Sequence, residues 1–167
     1  MKEQTCYLSQ NASARDDFSP TSEEVKNSKH SYQLPDGQAV NISAERYLAP
    51  EILFNPTLIG SEELGVTDAL VRSINKSDID LRPTFFTQIV LAGGSTCTHG
   101  FGDRLLAETR TRVPTHARIR ISAPPDRINS AWSGGSILAS LATFKNMWVT
   151  RAEYEEYGDS LVHRGAL

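Results

Sequence analysis

Few residues in this 167-residue chain are spaced to make or break bonds. His30, His99, His116 and His163 are scattered, with no pair four apart that would turn two imidazoles from one helix face towards a metal, so no metal site is expected. Cys6 and Cys97 also lack metal-type spacing and read as free thiols of a reducing compartment. There is no G-x-S-x-G elbow, and neither cysteine sits in a nucleophile motif. What remains is Gly93-Gly94-Ser95-Thr96, directly after the apolar run Ile89-Val90-Leu91-Ala92. Two glycines at the carboxyl end of a strand remove Cβ, so a flat ligand or another backbone can come close. Ligands of open α/β sheets bind in the crevice beyond such strand ends. The stretch reads either as the edge of a nucleotide site or as a tight strand-to-helix turn without a ligand. It matches neither the G-x-G-x-x-G dinucleotide fingerprint nor the G-x-x-x-x-G-K-[ST] phosphate loop. Asp78 and Asp80, flanked by Lys76 and Arg82, form either a solvated charged turn or a protein–protein contact of mixed sign.

The elements that must position these residues alternate between strand and helix patterns. Ile89 to Ala92 is rich in β-branched residues, the pattern of a strand covered on both faces, and Phe101 to Glu108 follows as a helix. Arg118-Ile119-Arg120-Ile121-Ser122 alternates as a second strand. Upstream, two alternating segments within Ser31 to Ile42 flank Pro35-Asp36-Gly37 and predict a hairpin. Ser43 to Leu48 opens a short helix that Pro50 should limit. Asn55 to Gly60 reads as a loop with Leu58 and Ile59 at its tip. Thr67 is placed to cap a helix through Ile74, with Leu70, Val71 and Ile74 on one face. Asn75 to Arg82 is a charged connection, and the polar stretch from Ser9 to His30 reads as a mobile loop with at most one weak helical turn after Ser22. Ser130 to Leu141 is a helix of small residues. Gly134 and Gly135 inside it cost about 1 kcal/mol each relative to alanine, tolerable if another element packs on the bare backbone. Thr150 to Tyr157 is a polar helix.

Composition bounds the class. The net charge of −3 gives no general attraction to nucleic acid or to an anionic membrane. No apolar run approaches the roughly 20 residues that span a bilayer, so no membrane insertion is expected. The first residues lead into no signal-peptide core, which makes glycosylation of Asn11-Ala12-Ser13 unexpected and favours a cytosolic protein.

Taken in order, Lys2-Glu3, Leu34-Pro35-Asp36-Gly37, Gly93-Gly94-Ser95-Thr96, Ala123-Pro124-Pro125, Trp132 with Ser133 to Leu141, Met147-Trp148 and Val162-His163-Arg164 resemble the actin family over nearly the whole chain. Lys76-Ser77-Asp78, Asp80-Leu81-Arg82, Gly100 to Leu106, Ile121 to Pro124 and Thr143-Phe144-Lys145 are similar, within it, to the actin-related proteins of the short dynactin filament. The resemblance implies an α/β fold, the carboxyl-terminal half of the actin-like ATPase fold shared with sugar kinases. It implies three parts: 1–61, a small nucleotide-side subdomain with the hairpin and a plug loop; 62–129, an α/β subdomain; and 130–167, the carboxyl-terminal part of a third. Lys2, Glu3, Gly93, Gly94, Ser95 and Cys97 are implied to line the adenine and ribose side of a cleft. The complete protein would hold ATP or ADP with Mg²⁺. The aspartate-glycine loops that grip the phosphates belong to the other half, so this chain is expected to be a partial product that binds no nucleotide by itself and is not an enzyme. The implied partners are further copies in an actin-like filament and dynactin subunits, in the cytoplasmic cytoskeleton. A conventional actin-like ATPase and a nuclear actin-related subunit of a chromatin remodeller are the alternatives. Thr98 stands where the family has an aromatic ring against adenine, Ile128 where actins have a lysine, His99 where they have proline and Ser133 where they have isoleucine.

Overall fold

The computed structural model describes residues 1–8 and 30–164, so the loop expected between Ser9 and His30 lies outside the described residues apart from His30. They fall into two compact units, Met1–Ile128 and Asn129–Leu167.

The first unit begins with helix α1, Lys2–Thr5. Strands β1 (His30–Gln33) and β2 (Ala39–Ile42) pair antiparallel, with His30 opposite Ile42 and Gln33 opposite Ala39. The Pro-Asp-Gly turn closes this hairpin as expected. Leu34 N–H donates to the Gln38 carbonyl at 2.8 Å and Gly37 N–H to the Leu34 carbonyl at 2.9 Å.

Helix α2, Glu45–Glu51, runs past Pro50 instead of stopping before it. Proline has no N–H to offer the carbonyl four residues back. Here that carbonyl, on Arg46, accepts from Tyr7 N–H at 3.1 Å, so the missing helix bond is replaced from outside. A 3₁₀ turn, Pro56–Ile59, leaves Leu58 and Ile59 exposed, as the loop reading expected.

Helix α3 spans Val66–Lys76 and buries Val71 and Ile74, with Leu70 packed against the core. Its cap differs from expectation. Gly65 is the N-cap, and Thr67, one turn above Val71 on the buried face, is 1% exposed. The Thr67 hydroxyl finds no partner among the described residues. A Cβ at Gly65 would lie 2.0 Å from the Phe54 carbonyl oxygen, so this backbone crossing, not a side-chain cap, fixes where α3 starts.

Helix α4, Arg82–Thr87, occupies the end of the charged connection and buries Phe86. Pro83 in its first turn is a helix-start signal that the sequence reading passed over. Strands β3 (Ile89–Val90) and β4 (Ile121–Ser122) pair parallel. Ile89 N–H donates to the Arg120 carbonyl and Leu91 N–H to that of Ser122. The expected strand covered on both faces is not found. Ile89 and Leu91 are buried, but Val90 between them is 66% exposed, so only one face meets the core. Residues 118–122 alternate in burial as their sequence does, though the ladder covers only two of them.

Helix α5, Phe101–Arg112, is the spine of this unit. Leu8, Phe54, Leu91, Phe101 and Leu105 form the core, with the Phe54 and Phe101 rings 5.3 Å apart. Beside it lies a chain of charges. The Arg104 guanidinium, 1% exposed, donates to both oxygens of Glu51 at 2.6 and 3.0 Å and to Glu108 Oε1 at 2.6 Å, and sits 5.3 Å over the Phe54 ring. Arg112 then bridges Glu108 to Asp68. Burial opposes the charge on Arg104, but the hydrogen bonds from Glu51 and Glu108 more than offset it and hold its pKa above the ordinary guanidinium value.

In the second unit, α6 spans Ser130–Ser140, a 3₁₀ segment Ala142–Met147, α7 Arg151–Tyr157 and α8 Ser160–Arg164. Thr150 caps α7 in a capping box: its hydroxyl accepts from Glu153 N–H while Glu153 Oε2 accepts from Thr150 N–H at 2.9 Å. The condition for tolerating the α6 glycines, an element packed on them, is not met among the described residues. A Cβ at Gly134 or Gly135 would meet nothing, and Trp132 and Ile137 are 77% and 65% exposed.

The buried and exposed ion pairs should behave differently. Arg104→Met leaves Glu51 a buried charge without its cation and Glu108 with Arg112 alone, and should lower unfolding free energy by about 3–5 kcal/mol. Arg151→Ala breaks the exposed Arg151–Glu155 pair of the same spacing and should cost less than about 0.5 kcal/mol. Urea midpoints of the two variants check this; equal shifts would refute it.

Candidate functional site

The amino-terminal segment is held from two sides. Leu8 N–H donates to the His99 carbonyl at 2.9 Å, and Tyr7 makes a parallel bridge with His99. Arg46 Nε donates to the Thr5 carbonyl at 3.0 Å, and its guanidinium lies 5.2 Å over the Tyr7 ring. Burial, reinforced by Tyr7 and Glu45, raises the pKa of the adjoining Tyr47 phenol. With Thr5 buried, the exposed face of α1 carries Lys2 and Glu3.

Opposite them is the glycine turn. Gly93 has φ +89°, a conformation that side chains with L chirality rarely adopt. Its carbonyl collects Thr96 N–H at 3.2 Å and Thr96 Oγ1 at 2.8 Å, which folds Gly94–Cys97 into a 3₁₀ turn. Thr98 Oγ1 donates to the Ser95 carbonyl at 3.0 Å. The two glycines thus do different work from that expected. Gly93 is required by its φ, with open space where a Cβ would be. At Gly94 a Cβ would make only ordinary contact, 3.8 Å from the Ile128 side chain.

Between the turn and α1 is a cavity of about 310 Å³ lined by Lys2, Glu3, Gly94, Ser95, Cys97 and Thr98. Every residue of the expected set except Gly93 faces it, and Gly93 holds the turn that forms one wall. Thr98, the departure from the family pattern, lines it as well. The walls offer one cation, one carboxylate, hydroxyls and backbone, a set suited to hydrogen-bonding a small polar ligand. No group of acidic, histidine or cysteine side chains among the described residues could hold a metal ion. A second cavity, about 370 Å³, lies between α3, α4 and β3 with Leu70, Ile74, Phe85 and Val90 in its wall and no charged residue among the described ones.

Sequence reasoning missed Arg127, which joins the turn through Thr96 to the segment after β4. Arg127 Nη2 donates to the Thr96 carbonyl at 2.9 Å, and Gly93 N–H donates to the Arg127 carbonyl at 2.9 Å. A bond across 31 residues has no local signature.

The family model for actin matches residues 1–166. The chain belongs to the actin family. Its mixed helices and small sheets fit a partial actin-like α/β fold. Membership in the actin family suggests self-association into filaments and a cytoskeletal, cytoplasmic setting. No described helix is long and apolar enough to cross a membrane.

Two glycine substitutions separate strain from clash. Gly93→Ala meets no atom among the described residues but must hold φ +89° with ψ 159°, a region almost confined to glycine, which costs roughly 1–3 kcal/mol. Gly100→Ala must hold φ +81° and also place its Cβ 2.6 Å from the Leu8 carbonyl oxygen. Thermal unfolding should show Gly100→Ala as clearly the more destabilised; the reverse order would refute the crossing of residues 8 and 100.

Proposed function

We propose that this chain is the carboxyl-side portion of a filament subunit of the centractin type, the actin-related protein of dynactin, and that its cavity takes the adenosine part of ATP or ADP. The role is structural: the chain supplies a filament surface and half of a nucleotide cleft, and turns over no ATP itself. The observation that carries the nucleotide reading is the convergence of Lys2 and Glu3 with Gly94, Ser95 and Cys97 on one cavity, although 91 residues or more separate the two groups. At about 310 Å³ this cavity lies at the small end of ligand sites, roughly 300–1,000 Å³, a size for a nucleoside and not for its triphosphate tail. Lys2 and Glu3 can hydrogen-bond a ribose or base edge. Among the described residues no aromatic ring lines the cavity to stack on the base, which weakens adenine contact. With Mg²⁺ and phosphate grips supplied elsewhere, ATP binding to this chain alone should be no tighter than millimolar.

Cys97 reports on the site directly, because its thiol is exposed on the cavity wall while Cys6 is half-buried elsewhere. Saturating adenosine and ADP should slow alkylation of Cys97 alike, and inorganic phosphate should not. No protection by either, or micromolar ATP affinity by calorimetry, would refute the nucleotide reading.

The filament reading is supported by the exposed turn at Lys76, Asp78 and Asp80, shaped by Arg82 Nε donating to the Ser77 carbonyl at 3.0 Å, and by exposed Leu58 and Ile59. Asp78→Lys with Asp80→Lys replaces both negative charges of that turn. Like charges at an interface cost several kcal/mol, and a loss of only about 1.4 kcal/mol per contact weakens each association tenfold. The double variant in the complete subunit should stay folded by circular dichroism yet fail to pellet with filaments. Equal pelleting would leave the turn a solvated one.

A further inference from the structure

We propose that Arg127 is the positioning residue of the cavity, the group that holds Gly93–Thr98 in the conformation presenting Ser95, Cys97 and Thr98 to a ligand. The proposal deepens the nucleoside reading of the cavity and rests on it for the ligand's identity. Arg127 does not line the cavity. Its Nε donates to Thr96 Oγ1 at 3.1 Å and its Nη2 to the Thr96 carbonyl at 2.9 Å. Its Nη1 reaches the Pro124 carbonyl at 3.0 Å and that of Ala123 at 3.4 Å. Its own carbonyl accepts from Gly93 N–H at 2.9 Å, and Thr96 Oγ1 in turn donates to the Gly93 carbonyl.

These bonds close a ring. Gly93, held at φ +89°, is fixed by Arg127 through its N–H and by Thr96 through its carbonyl, and Thr96 is itself held at two atoms by the Arg127 guanidinium. The next residue, Ile128, lies against the bare backbone of Gly94. The turn is thus gripped on the side away from the ligand, which leaves Ser95, Cys97 and Thr98 for the cavity. A planar fork of donors reaches a hydroxyl and carbonyls on two segments at once in fixed directions, whereas the three donors of an ammonium radiate from one atom and cannot span the same acceptors.

Arg127→Lys and Arg127→Met in the full chain test this. Amide exchange of Gly93, Thr96 and Thr98 reports on the turn, and that of Leu105 and Thr109 reports on α5. Both variants should speed exchange in the turn by about tenfold while leaving α5 unchanged, because a local opening is independent of the global one. In the same variants, the adenosine concentration that half-protects Cys97 from alkylation should rise by about tenfold. Three results would overturn the proposal: unchanged exchange in the turn, equal acceleration in α5, or unchanged adenosine protection when the turn has loosened. Absence of adenosine protection in the wild-type chain would instead refute the nucleoside reading, and the exchange rates would still decide the role of Arg127.

Discussion

A buried guanidinium ties the first unit together. Arg104 is out of water, where an ion carries a desolvation penalty of several kcal/mol, and it is tolerable only because two carboxylates occupy its donors. Glu51 comes from α2 and Glu108 from one turn further along α5, and through Arg112 the chain of charges continues to Asp68 on α3. The pairs within α5 form on that helix alone, but three helices must take one mutual arrangement for Glu51 and Asp68 to join them. The apolar core beside them is less demanding, since Leu8, Leu91 and Leu105 gain from burial in many geometries. The apolar contacts can be kept in many arrangements of these helices, the ion pairs between helices in few.

The same arrangement carries the cavity. Helix α2, fixed by Glu51, presents the Arg46 carbonyl to Tyr7 and the Arg46 side chain to Thr5. Helix α5, fixed by Arg104, starts just after the glycine turn and crosses Leu8 at Gly100. The two walls of the cavity thus descend from two elements that share one ion pair.

How much of this was legible in the sequence depends on the reach of each interaction. The hairpin was, because Pro35-Asp36-Gly37 encodes its turn within a few residues. The second half of the glycine stretch was partly legible: the residues named for the site do meet around one cavity, but the resemblance to a family pointed to Lys2 and Glu3, not any local pattern. Pro50 misled because the rule for proline is local, whereas Tyr7, which replaces its missing bond, is remote in sequence. Thr67 misled in the same way, since the crossing of Phe54 by Gly65 overrides capping preference. The i, i+4 spacing of Arg104 and Glu108, repeated at Arg112, was visible, yet the same spacing occurs at the exposed pair Arg151 and Glu155. Spacing says that two charges can meet on a helix; it does not say on which face.

The ion chain also sets an order of events during synthesis. Glu51 leaves the ribosome 53 residues before Arg104. At roughly 5–20 residues per second, that is an interval of several seconds. The hairpin, whose partners lie 6 to 12 residues apart, is of a kind that closes in about 1–10 microseconds. Helix α2 has no such freedom. Until residues 99–104 emerge, the Glu51 carboxylate lacks the Arg104 guanidinium and Leu8 N–H lacks the His99 carbonyl, so the amino-terminal segment can be held from the α2 side only. A stretch made late in the first unit thus completes the hold on its first residues.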